Sequence, residues 1–103
     1  MRWALLACLG LCLADGPVVA GRAVSIDNFA FSPTEIVVQV GETVTWTNRD
    51  DIPHTVTSAA MPRAFKSGPL DTDGTFSHRF DNPGRFAYFC SLHAHMQGVV
   101  IAK

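Results

Sequence analysis

The stretch Phe89-Cys90-Ser91-Leu92-His93-Ala94-His95-Met96-Gln97-Gly98 constrains this chain more than any other part of it. It sets a thiol, two imidazoles and a thioether within seven residues. An aromatic run, Arg85-Phe86-Ala87-Tyr88-Phe89, leads in and Val99-Val100-Ile101 leads out, so the cluster reads as the tip between two strands. A tip that short cannot build a core of its own. The fold must therefore bring a distant segment to it, and its polar atoms need a shared ligand. Thiolate, imidazole and thioether together suit a soft or borderline transition metal, copper above all, far better than magnesium or calcium.

How many cysteines can serve depends on the start of the chain. Met1-Arg2 is a short positive start, Trp3 to Leu13 is a small apolar block, and Ala14-Asp15-Gly16-Pro17 breaks it ahead of Val18-Val19-Ala20. That order of regions predicts a secretory signal peptide over residues 1–20, cut after Ala20 or, as second choice, after Ala14. The block falls short of the ~18 to 20 apolar residues that a membrane span requires. Leu5-Leu6-Ala7-Cys8 faintly resembles a lipoprotein box but comes too early to leave an apolar region before it. Export to the periplasm, an oxidising compartment, is the expectation.

Cys8 and Cys12 fall within the leader, so residues 21–103 keep only Cys90, which cannot form an internal disulfide. Such a thiol is buried and inert, paired between chains, or held by a metal. A chain of 103 residues is one domain at most. Once the leader is removed, a hydrophobic core alone is marginal, and a bound metal would act as a staple. The net charge of −1 offers no basic footprint for nucleic acid.

Between leader and cluster the chain alternates like a set of strands. Val24 and Ile26 share one face, Thr34 to Val40 is β-branched, and Val44, Trp46 and Asn48 share a face of Thr43 to Asn48. His54 to Thr57 resumes strand character after a polar loop, and Ser58 to Gly74 is a long irregular connection with a helical turn expected around Met61 to Phe65. Thr75 to Phe80, Arg85 to Cys90 and Gln97 to Lys103 complete the set, with Asp81-Asn82-Pro83-Gly84 as a strong turn. The expected fold is all-β, a Greek-key antiparallel β-sandwich or barrel of about seven to eight strands. Trp46, Phe76, Phe80 and Phe86 would fill its interior.

His54 is the natural partner for the cluster. It follows Pro53, whose fixed φ limits where the imidazole points, and a sandwich can set a distant strand end beside the tip at Cys90. His54, Cys90 and His93 would then form a trigonal set of two nitrogens and one sulfur, with Met96 as a weak axial thioether.

On these residues the chain resembles the plastocyanin/azurin (cupredoxin) family of type 1 copper proteins, and is most similar to the amicyanin kind. The matching pieces are Phe31-Ser32-Pro33, Val40-Gly41-Glu42-Thr43-Val44-Thr45-Trp46-Thr47-Asn48, Pro53-His54 and Tyr88 to Gly98. They extend over nearly all of residues 23–103. The resemblance implies His54, Cys90, His93 and Met96 as ligands of one type 1 copper ion. Two positions depart from the family pattern. Leu92 stands where amicyanin and plastocyanin have proline, and Thr55 stands where the family has an asparagine that ties the two ligand loops together. A threonine hydroxyl could do part of that work, and Asn48 lies near enough in sequence to share it.

His95 competes with His93, because it stands five residues after Cys90. Met96 adjoins it, however, and adjacent residues of an extended segment point apart, whereas His93 and Met96 are three apart and a tight turn brings both inward. His95 is then expected as an exposed modulator near the metal. His78 shares strand parity with Phe76 and Phe80 and reads as a structural, inward histidine; Met61 reads as a loop side chain. Zinc is the competing metal, but a thioether is a poor zinc ligand and nothing resembles a general base beside bound water. A cysteine nucleophile would require an oxyanion hole that no local signature suggests.

The implied function is an exported, monomeric, non-enzymatic carrier that passes single electrons between redox partner proteins docking near His93. The alternative is a periplasmic protein that stores or delivers copper with the same ligands.

Overall fold

Alternating β-branched and polar residues give strands whose inward side chains close on two aromatic centres, Trp46 and Tyr88. The computed structural model describes residues 21–103; the leader assigned to residues 1–20 lies outside the described residues. The strands are β1 (Arg22–Asp27), β2 (Ala30–Ser32), β3 (Glu35–Val38) and β4 (Thr43–Asn48), followed by β5 (Thr57–Ser58), β6 (Thr75–Arg79), β7 (Gly84–Cys90) and β8 (His93–Ala102). They form two four-stranded sheets, ordered β2-β1-β4-β6 and β3-β8-β7-β5, facing one another as a sandwich. Among the described residues no helix is long and apolar enough to cross a membrane.

The all-β sandwich matches the expectation, with one refinement of strand direction. Four of the pairings are antiparallel, but β1 runs parallel to β4 and β3 runs parallel to β8. Parallel partners need a crossover rather than a hairpin. Both parallel pairs join strands that lie on opposite sides of an excursion through the other sheet.

The interior follows from the alternation. Val24 and Ile26 of β1, Val44 and Trp46 of β4, Ile36 and Val38 of β3, and Val100 and Ala102 of β8 are all buried. Phe80 is buried as well, whereas Phe76 and Phe86 are only partly buried and pack against that core. Trp46 and Tyr88 meet edge to face across the sandwich, with ring centroids 5.3 Å apart, and Phe31 packs on Tyr88 at 4.7 Å. Such pairs contribute about 0.5–1.5 kcal/mol beyond simple burial. Tyr88 stands opposite Gly98 in the β7–β8 register. A Cβ at position 98 would lie 2.5 Å from the Tyr88 Cζ and hydroxyl oxygen, so the glycine is required by the tyrosine lying over it. Gly41 turns the chain between β3 and β4 at φ 97°, a conformation that favours glycine.

Three local expectations are corrected. His54 to Val56 is not a strand; His54 instead exchanges backbone hydrogen bonds with Leu70, N–H to O at 3.2 and 2.8 Å. No helical turn forms around Met61 to Phe65. The segment folds back on residues 54–58, with Ser58 N–H donating to Phe65 O at 2.9 Å and Ser67 N–H to Val56 O at 2.8 Å, so its backbone is satisfied from across the fold. The last strand begins at His93 rather than Gln97, because the pairing with β7 continues past a register shift between Phe89 and Cys90, where Cys90 faces His93.

Candidate metal centre

Three donor atoms converge at one end of the sandwich. Cys90 ends β7, His93 opens β8, and His54 is carried to them on the loop pinned by Leu70. Cys90 Sγ lies 3.7 Å from His54 Nδ1 and 3.8 Å from His93 Nδ1. One donor atom from each of the three residues falls within 4.8 Å of the others, and this is the one such group found among the described residues. His54 and Cys90 are fully buried, whereas His93 is half-buried. Met96, also buried, belongs to the same core cluster as Cys90. Two imidazole nitrogens and a sulfur around one point, with a buried thioether in the same core cluster, suit a single type 1 copper ion.

His95 is exposed, with its ring centroid 6.5 Å from that of His93. It is not part of the convergent group. His78 stands opposite Val44, half-buried between Phe65 and Phe80 at centroid distances of 4.9 and 4.8 Å. Met61 is exposed.

The hydrogen bonds around the group tie its two loops together. Thr55 Oγ1 accepts from Ser91 N–H at 2.7 Å, and lies 2.9 Å from Ser91 Oγ and 3.1 Å from Thr57 Oγ1. Thr55 N–H donates to Cys90 Sγ at 3.4 Å. The threonine thus ties the His54 loop to the Cys90 loop with both its hydroxyl and its backbone. Asn48 takes no part in that tie. Its amide donates to Ile52 O and Leu70 O at 2.9 and 2.8 Å, and its Oδ1 accepts from Asp50 N–H at 2.9 Å, which braces the loop before His54.

Two residues near the centre were not singled out by sequence. Asp50 Oδ2 lies 2.7 Å from His54 Nε2. A ring N–H donated there leaves Nδ1, the atom facing Cys90, as the free acceptor, the usual way a carboxylate fixes the tautomer of a metal-binding histidine. The same carboxylate accepts from Asn28 N–H at 2.6 Å and Phe29 N–H at 2.9 Å. Burial works against its charge, yet the hydrogen bonds from Phe29, His54 and Asn28 hold Asp50 below the ordinary 3.8. Phe29 is the second. Its ring stands edge-on to His54 at 5.3 Å and to His93 at 5.2 Å. The signals in the sequence are slight: a carboxylate four residues before His54, and an asparagine, a residue tolerant of positive φ, before an aromatic.

Comparison with known proteins gives a consistent picture. A family model described as copper binding proteins, plastocyanin/azurin family, matches residues 19–103. The chain is 35% identical over 83 residues to amicyanin-alpha of Methylorubrum extorquens, covering 78% of this chain and 70% of that protein. It is 33% identical over 94 residues to amicyanin of Paracoccus denitrificans, covering 88% and 69%. Among solved structures, a copper(I) form of an amicyanin variant superposes with TM-score 0.76 at 29% identity, covering 81% of this chain and 82% of that one. A purple cupredoxin from Nitrosopumilus maritimus gives 0.74 at 32% identity, covering 80% and 99%.

Proposed function

The chain belongs to the plastocyanin/azurin family of copper-binding proteins, and on that premise we propose that it is an exported, non-enzymatic carrier of single electrons. The observation that carries this reading is the convergence of His54 Nδ1, Cys90 Sγ and His93 Nδ1 within 4.8 Å. In the proposal His54, Cys90 and His93, together with Met96, would hold one type 1 copper, and the Met96 thioether would tune its potential. Copper, when bound, supplies the one-electron couple between Cu(II) and Cu(I).

The chain's own residues do the rest. Thr55 N–H holds Cys90 Sγ through a hydrogen bond. The tie from Thr55 to Ser91 and the carboxylate of Asp50 on His54 hold the donors in place whatever the oxidation state, so little has to reorganise. Complete burial of His54 and Cys90 keeps water from them. His93, the half-buried member, is the point of electron entry. Around it Leu92 and Phe29 are exposed apolar side chains, 51% and 43% accessible, and Pro53, the residue before His54, is exposed as well. A small apolar rim of this kind suits brief docking with redox proteins, whose interfaces are at the low end of the size range. Export to the periplasm after removal of residues 1–20 completes the proposal; it is supported by the composition of the leader and by a family match that begins at residue 19.

The copper-loaded protein should be intensely blue or green when oxidised and should be bleached by ascorbate. A colourless Cu(II) form would refute the type 1 assignment. The second reading, copper storage or delivery, draws on the accessibility of His93. It predicts release of copper to a Cu(I) chelator on the timescale of partner transfer, which a carrier should not show.

A further inference from the structure

Residues Asn28 and Phe29 form the two-residue turn between β1 and β2, where Asp27 pairs with Ala30. Both have positive φ, 53° and 58°. Asparagine tolerates this region, but a bulky aromatic does so at a cost, and such conformations persist only when the surroundings enforce them. The enforcing group is Asp50, whose two carboxylate oxygens take the N–H groups of Asn28 and Phe29 while one of them also holds His54 Nε2. The result is a phenyl ring 43% exposed to solvent on one side. On the other it contacts both imidazoles, whose centroids are themselves 5.1 Å apart. A large apolar side chain so exposed would gain by packing elsewhere; here it is kept over the two rings.

We propose that Phe29 is the residue that determines copper retention, a fixed lid over His54 and His93. The inference rests on the copper-carrier reading and deepens it by assigning a cause to metal being kept rather than delivered. Metal can leave only if an imidazole swings aside. His54 is fully buried and anchored at Nε2, so the movable ring is His93. Its outward path crosses the edge of Phe29, whose backbone is held in place by the hydrogen bonds from Asn28 and Phe29 N–H to Asp50. Phe29 is a positioning residue: it touches the imidazoles, not the metal.

The test uses the copper-loaded protein and Phe29→Gly. Glycine accepts φ near 58° without strain, so the turn survives while the ring is removed. Transfer of Cu(I) to a strong bidentate chelator should accelerate by about tenfold or more, the scale seen when partners of metal ligands are lost. Phe29→Tyr should restore slow release, and the visible spectrum of the Cu(II) form should be preserved in both. In the metal-free protein, removing the ring should also shift the nuclear resonances of the His93 ring protons. Unchanged release from Phe29→Gly, or release from Phe29→Tyr as fast as from glycine, overturns the lid and leaves the carrier reading standing. Unchanged His93 resonances also overturn it. Rapid release from the unaltered protein defeats the carrier reading itself.

Discussion

Replacing Thr55 with valine tests how the two ligand loops are held together. The change keeps the shape of a side chain that is 4% exposed and removes one oxygen. That oxygen is the acceptor for Ser91 N–H at 2.7 Å and the neighbour of the Ser91 and Thr57 hydroxyls at 2.9 and 3.1 Å. Thr57 is 3% exposed, so its hydroxyl would lose this neighbour where water has no access, a loss of about 1–3 kcal/mol. Ser91 is exposed and its groups can rehydrate, so its share is about 0.5–1 kcal/mol. Together the two shares come to about 1.5–4 kcal/mol. For a domain of 60–100 residues, 1 kcal/mol moves the melting temperature by about 4–8 °C, so Tm should fall by at least about 6 °C. Thermal unfolding of the metal-free protein is the appropriate assay, because bound metal would stabilise both forms unequally. Thr55→Ser, which keeps the oxygen, should lose much less. The reasoning is refuted if valine costs less than about 0.5 kcal/mol, or if serine costs as much as valine.

Other substitutions address separate parts of the molecule. Gly98→Ala puts a Cβ 2.5 Å from the Tyr88 ring, wedged between Trp46 and Phe31, and should destabilise by about 1–3 kcal/mol in denaturant unfolding; a neutral result would mean that Tyr88 is free to shift. Desolvation lowers His78 from its ordinary 6.5, with Asp81 opposing. The unfolded chain then takes up a proton first, so stability is full above about pH 6.5 and falls as the medium is acidified below it. His78→Gln should flatten that part of the stability profile, and an unaltered profile would remove His78 as its source. Cys90→Ser should abolish the colour of the copper-loaded protein, while His95→Ala should leave it; loss of colour in the second variant would place His95, not His93, on the metal.

The sandwich was legible because its strands face a core on one side only, so period-two alternation survives in Val24/Ile26 and Val44/Trp46. His54, Cys90, His93 and Met96 stood out through the rarity of their chemistry and the spacing of the last three. What escaped is non-local. The Leu70–His54 bridge replaces a strand at residues 54–56, yet no local pattern names a partner sixteen residues away. The role of Thr55 depends on Ser91, thirty-six residues later. Asp50 looked like an ordinary loop carboxylate, and Phe29 like part of an aromatic loop, because neither carries a local signal of what it touches. Parallel pairing of β3 with β8 is likewise invisible to alternation, which reports the buried face and not the neighbour's direction.

That parallel pairing has a consequence for the order in which the molecule is made. Strand β8 sits between β7 and β3, joined in register from Glu35↔Val99 to Val38↔Ala102, and it carries His93 and Met96. The second sheet therefore cannot close on a ribosome-bound chain until β8 has emerged, and until then His54 waits without the donors it meets in the finished fold. In an unfolded chain Cys90, His93 and Met96 are close in sequence but His54 lies thirty-six residues before Cys90, so the full set of donors meets only as the final register locks. Metal capture by this protein would then be a readout of completed folding.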